Sequence, residues 1–492
     1  MPSRKTLWLV AILAVEGLLF LWHRDHFFNG DSLFFFSHRL EGLTDVLRVF
    51  QGPDHLWQYR PLTFVIFTFI LNPLFGLNPI GYNLFPIAVH ALNTILVFGI
   101  LRGLGLTERA ALLGTFFFGA HCVAFYVTYG VAFLPDLSYS FFYLLSVYLF
   151  VRFLHAGLWR ALAASLLSFI LALFCKEATI TLPVVVVAIS LLWGKGGFDT
   201  TRGSMRDAVS LTLRRTSPYL LLGAVYMGFH WITKAGQIYA PGVSHPHHSE
   251  FSLYTLHYKY KYLKWAFNLP DGLVFRFEGW LNYLIALALL IFIVPFLLTV
   301  VRHLWMRDRL TWCGCTWFLA ALSPVLLLRN LTMHHNLYVP LVGLALVMGI
   351  WLDGLAERFV IAGRRPARRA VPVFVAVSIA AVFFHNQVAL KDSWIAVASS
   401  VAETSLQDLK ELRPTLPDGA SLYIIDGSPV PRGELQWFYD YGSLFRLFYS
   451  EDSLDVQFIG RDAQLPDRHD LPAKAIILRF DGDHLSEISG SP

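Results

Sequence analysis

Two aspartates close to the end of the first apolar run could act as a general base. Asp25 and Asp31 lie in residues 24–60, a stretch rich in ionisable groups that separates the first apolar run from the next. A carboxylate at a lipid–water boundary is partly desolvated, which suits it to accept a proton from a hydroxyl group. For a lone aspartate a solvated cap at the start of a surface helix is the favoured interpretation, and the clustering of ionisable groups on one face reverses this for Asp31. Residues 24–60 are the predicted active-site loop.

A charged pair interrupts a long apolar run. Lys176 and Glu177 stand between FILALFC and ATITLPVVVVAISLL. Ionisable groups inside a membrane segment are costly and must pair with each other or face a cavity. In the functional interpretation, Lys176 binds the phosphate of a lipid carrier. In the alternative, Lys176 and Glu177 form an ion pair with each other.

Residues 254–265, YTLHYKYKYLKW, combine basic and aromatic side chains. Lys259, Lys261 and Lys264 alternate there with tyrosine and tryptophan, the residues that favour the headgroup level of a membrane. A segment that binds phosphate headgroups and an ordinary interfacial belt explain this pattern equally well.

Histidines are numerous, but their spacing does not predict a metal site. His334 and His335 are adjacent, as are His247 and His248, unlike the i, i+4 spacing of a helical zinc site. His90 and His121 lie within apolar runs and are interpreted as hydrogen-bonded structural residues or as residues lining a pocket. The motifs require no cofactor, and a divalent cation is left open.

The composition is that of a membrane protein. Of the 492 residues 55% are hydrophobic and 15% are charged, against roughly a quarter charged in a soluble domain. The net charge of +5 is therefore no indication of nucleic-acid binding. The four cysteines lie in apolar runs and predict no disulfide framework. The first apolar run, residues 7–22, has no small-residue cleavage site and is predicted to be an uncleaved anchor.

The apolar runs predict about eleven membrane spans, each near twenty residues. They lie near residues 6–22, 80–102, 110–129, 137–155, 159–175, 178–194, 217–233, 278–301, 310–328, 337–354 and 370–385. The shorter run 61–77 is predicted to lie at or partly within the membrane. With the N-terminus in the cytoplasm, five successive inner loops carry the excess of Lys and Arg that the positive-inside rule demands. Residues 24–60, Asp136 and Lys176-Glu177 then share the extracytoplasmic face.

The tail has a different character and predicts a second domain. It is polar, with short β-like runs at 421–425, 456–459 and 475–480 and a helical stretch at 394–412. The predicted fold class is a multi-pass α-helical membrane protein with a small α/β extracytoplasmic C-terminal domain. The transmembrane domain covers residues 1–385 and the small domain covers residues 386–492.

The order of several motifs resembles one family of membrane enzymes. The chain is similar to the transmembrane-and-tetratricopeptide-repeat O-mannosyltransferases and their bacterial relatives, in the GT-C superfamily, over residues 1–390. The motifs are YRPLT (59–63), GYNLFPIAVHALNTILV (81–97), AHCVAFYV (120–127), Asp136, LFCKEATITLP (173–183) and NLYVPLVGL (336–344). The resemblance implies a GT-C-like fold and transfer of a sugar from a polyprenyl-phosphate donor to a hydroxyl group, with inversion.

The resemblance also implies roles for particular residues. Asp31 best matches the family's catalytic carboxylate, and Asp25 is held in reserve. Substrate or donor-phosphate binding is implied for Asp136, Lys176, Glu177, His90 and His121. Three departures from the family pattern are Tyr126 in place of an acidic residue, Leu134-Pro135 in place of an arginine, and His334-His335 in place of Glu-Arg.

The sequence predicts a membrane glycosyltransferase, with mannose as the candidate sugar and protein O-mannosylation as the candidate process. Arg60 and the Lys259, Lys261 and Lys264 group are further candidates for stabilising the leaving phosphate. His334 and His335 are further candidates for binding the substrate or the donor phosphate. The partners are the lipid-linked donor, the bilayer and a hydroxyl acceptor on protein, glycan or lipid. The bacterial inner membrane is favoured over the endoplasmic reticulum, with the C-terminus extracytoplasmic. A flippase for a lipid-linked intermediate and a non-catalytic scaffold are the alternatives.

Overall fold

The computed structural model is largely helical. It describes residues 4–52, 59–193, 205–234, 259–269, 280–326, 332–361, 370–427, 435–460, 471–472 and 474–488. Predicted span 6–22 and the active-site loop correspond to α1 (Arg4–Phe20), α2 (Gly30–Ser37) and α3 (Leu43–Gln51). The helices of the central part are α4 (Pro61–Ile66), α5 (Asn72–Phe75), α6 (Pro79–Gly103), α7 (Glu108–Gly119), α8 (Cys122–Thr128), α9 (Leu134–Ala156), α10 (Trp159–Cys175), α11 (Leu182–Trp193) and α12 (Met205–Lys234).

The remaining helices lie in the second half of the chain. They are α13 (Tyr260–Trp265), α14 (Trp280–Trp305), α15 (Arg309–Leu326), α16 (Pro340–Ile361), α17 (Ala370–Asp392), α18 (Trp394–Leu412), α19 (Leu435–Phe438) and α20 (Ser443–Tyr449). Every predicted span coincides with helical segments. The eleven-span count itself stays a prediction, because four described helices are long and apolar enough to cross a membrane, or up to six if each bent pair is one span.

The two bent pairs have local causes. α7 and α8 meet at 54° where His121 leaves the helical conformation and its side chain caps α8 by accepting the N–H of Val123. α14 and α15 meet at 113° around Arg307, which has a positive φ of 57°. The apolar stretch 61–77 forms a shorter helical stretch, Pro61–Phe75, with π-helical turns at Phe67–Leu71.

The helical bundle packs around close backbone approaches. α9 lies along α10, and α16 lies along both α7 and α15. A Cβ added at Gly343 of α16 would lie 2.4 Å from the carbonyl oxygen of Gly314 in α15. Glycine therefore permits this contact, and the main apolar core fills the space between these helices.

The tail forms a four-stranded sheet in the order β2-β1-β3-β4. β1 (Ser421–Asp426) lies parallel to β2 (Asp455–Ile459) and to β3 (Ala475–Phe480), and β4 (Leu485–Glu487) is antiparallel to β3. Leu422 of β1 pairs with Val456 and Ile476, which places apolar side chains on the face that α18 covers. The three predicted strands and the helix 394–412 are all present, and β4 was not predicted.

The loop of residues 24–60 and the tail share one apolar core. Phe28, Leu33 and Phe36 from the loop pack in the same cluster as Leu406 and Leu422 from the tail. α17 runs through residue 385 to Asp392, so the predicted domain boundary falls within a helix. Where one domain ends and the next begins stays a prediction, and the shared core places α2 against the tail.

Candidate functional site

Asp31 lies in the first turn of α2, which is held from both sides. The Asn29 side chain caps this helix by accepting the N–H of Ser32 at 3.0 Å. The preceding chain is tied to α6, because Asn83 Nδ2 donates to the carbonyls of Arg24 and His26 at 2.9 and 2.7 Å. α2 is therefore fixed at the end of the first helix, where the sequence predicted a catalytic loop.

The Asp31 carboxyl group is accessible and yet poorly solvated. Its residue surface is exposed, whereas the protein packed around it raises its pKa from 3.8 to about 6 by desolvation, with a further contribution from the like charge of Asp440. Both properties fit a carboxylate that lines an open cleft. A carboxylate with this pKa is a better proton acceptor near neutral pH than an ordinary aspartate.

Asp25 has different surroundings. It is exposed and follows the short 3-10 segment Leu21–His23. Its charge contributes to raising the pKa of Glu403, on which burial has the larger effect. Asp25 therefore lies near the tail helix α18.

Four charged residues predicted for the site come together as two ion pairs. Lys176 Nζ donates to Asp136 Oδ1 at 2.6 Å, and Arg60 Nη2 donates to Glu177 Oε1 at 3.1 Å. Arg60 Nε also reaches Glu177 Oε2 at 3.3 Å, which makes the second pair a fork. Lys176 and Asp136 are buried, at 8% and 4% exposed. These four residues are called the charge quartet below.

Three chain breaks bring the quartet together. Arg60 immediately precedes α4, which begins at Pro61, and Thr63 of α4 donates its hydroxyl to the carbonyl of Cys175 at 3.3 Å. Cys175 ends α10, and Lys176 continues in extended conformation before the 3-10 segment Glu177–Thr181. Asp136 lies in the first turn of α9. The quartet therefore stands where helices start and stop.

His335 borders the quartet. Burial lowers its pKa to about 4, the Asp136 carboxylate opposes this shift, and the cations of Lys176 and Arg60 add to it. The His335 ring lies 5.0 Å from that of Phe133, in the 3-10 segment Val131–Phe133 that leads into α9. α2 packs against the same segment. This segment thus links the Asp31 helix to the quartet.

His334 lies between two aromatic rings. Its ring stacks on Tyr126 at 3.9 Å and on Trp265 at 3.7 Å, and His385 approaches at 5.9 Å. Burial lowers the pKa of His334 well below its ordinary value, so its imidazole is neutral. His334 Nε2, both ring nitrogens of His385 and the Trp265 indole N–H have no hydrogen-bond partner in the described structure. Buried nitrogen atoms in this state can serve a bound molecule.

His90 and His121 use their ring nitrogens within the protein. His90 Nδ1 lies 2.6 Å from the Tyr338 hydroxyl, and its Nε2 lies 3.0 Å from the Gly119 carbonyl. His121 caps α8 through Nδ1, and its Nε2 lies 3.3 Å from the carbonyl of Ala266. These contacts are structural, and a role in substrate binding stays a prediction for both.

The predicted basic segment is described only from residue 259 onward. Lys259 is buried, and its Nζ donates to Thr332 Oγ1 at 2.9 Å. Lys261 and Lys264 lie on α13, and their charges help to lower the pKa of His334. The basic patch thus adjoins the histidine and tryptophan rings. Residues 254–258 and the histidines at 247 and 248 lie outside the described residues.

Asp440 and His385 were not singled out from the sequence. Asp440 lies in a tail without a recognisable motif, and its backbone conformation is visible only in three dimensions. His385 stands alone near the end of an apolar run. Across the described ranges, no group of three or more His, Cys, Asp and Glu residues could hold a metal ion.

Comparisons with known proteins bear on the central part of the chain. Residues 59–238 match the sequence model of the dolichyl-phosphate-mannose-protein mannosyltransferase family. That segment contains the whole charge quartet together with His90 and His121. No curated protein sequence matches the chain.

Solved structures of an oligosaccharyltransferase from Archaeoglobus fulgidus resemble the chain at low identity. The apo form gives a TM-score of 0.49 at 11% identity, covering 94% of this chain and 64% of the other. The complex of that enzyme, AglB, with an inhibitory peptide and a dolichol-phosphate gives 0.48 at 11% identity, covering 91% and 64%. The chain thus spans 64% of the length of these structures.

The family match confirms the resemblance drawn from the motifs: residues 59–238 carry the sequence signature of a GT-C-superfamily glycosyltransferase.

Proposed function

We propose that the protein transfers a sugar from a polyprenyl-phosphate donor to a hydroxyl acceptor at the extracytoplasmic face of a membrane, with inversion at the anomeric carbon. Mannose is the sugar proposed first, because the matched family is described by dolichyl-phosphate-mannose. The acceptor proposed is a Ser or Thr hydroxyl of a protein. The membrane is proposed to be the bacterial inner membrane.

One observation carries this proposal. The matched segment contributes four charged residues from three chain breaks to one cluster, in which the Lys176–Asp136 pair is buried. α2, with its accessible Asp31, packs on the chain that leads into this cluster. Buried charges at the ends of apolar helices are costly and are typical of a functional site. A flippase would place such groups near the membrane midplane rather than at helix ends.

The proposed reaction forms one bond and breaks one. The acceptor oxygen attacks the anomeric carbon while the bond from that carbon to the phosphate oxygen breaks on the opposite face. Asp31 takes the proton of the acceptor hydroxyl, and the electron pair of the broken bond leaves with the lipid phosphate. Because the pKa of Asp31 is about 6, the carboxylate is ionised and ready for this step at neutral pH.

The leaving phosphate is proposed to be stabilised by the two cations of the quartet. Arg60 donates through Nε and Nη2 to Glu177, and among the described residues Nη1 remains for a further acceptor. Lys176 gives one N–H to Asp136 and has two more. Such donors, held before the substrate arrives, stabilise the charge that develops as the bond breaks. The nitrogen atoms of His334, His385 and Trp265 supply further hydrogen bonds to the donor.

The test is a comparison of cells that carry the wild-type chain, Asp31→Asn or Asp45→Asn. Asp45 lies on α3 of the same loop; in the described structure it pairs with Arg48 and accepts the main-chain N–H of Glu41, so it is a matched carboxylate outside the site. Intact-mass analysis of acceptor proteins should show glycosylation with the wild type and Asp45→Asn and none with Asp31→Asn. Equal glycosylation in all three strains would exclude Asp31 as the base.

A further inference from the structure

The tail presents an unusual turn to the first loop. The turn of residues 437–442 runs from the end of α19 to the start of α20. Three consecutive residues there have positive φ: Asp440 at 45°, Tyr441 at 52° and Gly442 at 93°. Residues other than glycine avoid this conformation because of steric strain. Two of them in succession indicate that surrounding contacts hold the turn in place, as happens at functional positions.

The turn contacts both ends of α2. At one end, Ser37 Oγ donates to Asp440 Oδ2 at 2.7 Å. At the other, a Cβ added at Gly30 would lie 1.7 Å from the carbonyl oxygen of Trp437, so the two backbones touch. Asp31 follows Gly30 directly. The turn and the helix that carries Asp31 are therefore fixed relative to each other.

Asp440 is also the charged group that acts on Asp31. Other ionisable groups near α2 are His38, which follows it directly, and Tyr441 in the turn. The helices packed on α2 add Glu403, Asp408, Lys410 and Arg446. Among the described residues, Asp440 alone contributes a charge that shifts the pKa of Asp31, and it acts in the same direction as desolvation. The hydrogen bond from the Ser37 hydroxyl keeps the Asp440 carboxylate in place.

We propose that Asp440 is a positioning residue for glycosyl transfer: the tail presents its carboxylate to α2 and thereby makes Asp31 a stronger base. The proposal rests on the proposed function. A second negative charge opposes ionisation of Asp31 and favours its protonated form, which is the form produced when Asp31 takes the acceptor's proton. The tail thus completes the site without touching the substrate.

The test measures Asp31 directly and does not require activity. Carbodiimides modify protonated carboxyl groups, so the labelling of Asp31 in the full-length protein, read by peptide mass spectrometry across a pH series, gives its pKa. The wild type should show a midpoint near pH 6. Asp440→Asn keeps the hydrogen bond from Ser37 and removes the charge, so its midpoint should lie at lower pH. Asp440→Glu should keep the wild-type midpoint.

Two further variants separate charge from structure. Asp455→Asn removes an exposed carboxylate from β2 of the same tail and should leave the midpoint unchanged. Ser37→Ala frees the Asp440 carboxylate and should move the midpoint partway toward that of Asp440→Asn. An unchanged midpoint in folded Asp440→Asn would overturn the proposal.

The pH dependence of kcat/KM supplies the catalytic half of the test. In Asp440→Asn the acidic limb of the kcat/KM profile should move to lower pH, as the labelling midpoint does. The plateau value of kcat/KM should fall by about 3- to 10-fold because the base is weaker. Complete loss of transfer at every pH in the folded variant would overturn the positioning role. If the labelling midpoint shifts as expected in Asp440→Asn but the wild-type protein transfers no sugar, the proposed function is refuted instead.

Discussion

At the scale of single residues, the proposed site contains two carboxylates with opposite surroundings. Asp136 is paired with a cation, whereas the pKa of Asp31 is raised to about 6 by its surroundings. Because folding raises this pKa above its ordinary value of 3.8, the folded state binds the proton more tightly than the unfolded state. The stability that Asp31 contributes is therefore present below about pH 4 and is lost as the pH rises through 6. Such a residue is retained for chemistry rather than for stability.

Unlike Asp31, Lys176 is expected to stabilise the folded protein through its charge. Lys176→Met leaves Asp136 buried without its cation and should lower the free energy of unfolding by about 3–5 kcal/mol. The double variant Lys176→Met with Asp136→Leu removes both charges and should regain most of this loss. Denaturant unfolding in detergent measures the stability, and sugar transfer should be lost in both variants. A double variant no more stable than the single one would show that the pair is not coupled.

At the scale of elements, apolar length predicted where helices lie, but not how their ends meet. Each apolar run from residue 6 to 385 coincides with helical segments, whereas α2, α3 and α13 lie outside those runs. The bend at His121 depends on a side-chain cap, and the quartet depends on which helix ends are neighbours. Neither follows from hydropathy along the chain. The charges of Arg60, Asp136 and Lys176 were predicted to share one face, whereas Asp440 carried no signal.

The contact between α15 and α16 gives a prediction at this scale. Gly343→Ala places a Cβ 2.4 Å from the backbone oxygen of Gly314 and should cost about 1–3 kcal/mol of stability through overpacking. Gly354→Ala is the control on the same helix, where nothing lies within 4 Å and alanine is the better helix former. Relative to the wild type, the midpoint temperature of thermal unfolding should fall in Gly343→Ala and rise in Gly354→Ala. Equal midpoints would show that the two helices separate easily.

At the scale of the whole molecule, the tail and the first loop behave as one unit. They share an apolar core, and the turn at residues 437–442 contacts both ends of α2. The tail was predicted as a separate small domain because its composition changes, and composition carries no information on where such a segment packs. The loop with the proposed base therefore takes its position from residues about four hundred places away in the chain.

Gly30 tests this coupling. Gly30→Val cannot keep its backbone contact with Trp437, since the added Cβ would lie 1.7 Å from the Trp437 oxygen, so α2 must move away from the tail. Transfer should fall by about tenfold or more, because a small misplacement of a catalytic group is costly. Gly42→Val, in open space on the same loop, is the control. Limited proteolysis should cut the tail faster in Gly30→Val alone, and identical cleavage and activity would contradict the coupling.

Asp31 is proposed to be the base that drives transfer from a lipid-phosphate donor. Full-length protein reconstituted in liposomes with polyprenyl-phosphate-mannose and a Ser/Thr peptide should release one polyprenyl phosphate for each glycosylated peptide. The rate should rise with pH through about 6, as Asp31 loses its proton. Asp31→Asn should lower the rate by about 10²- to 10⁴-fold with no loss of folded protein. Release of polyprenyl phosphate at the wild-type rate by Asp31→Asn would contradict the role of Asp31 as the base.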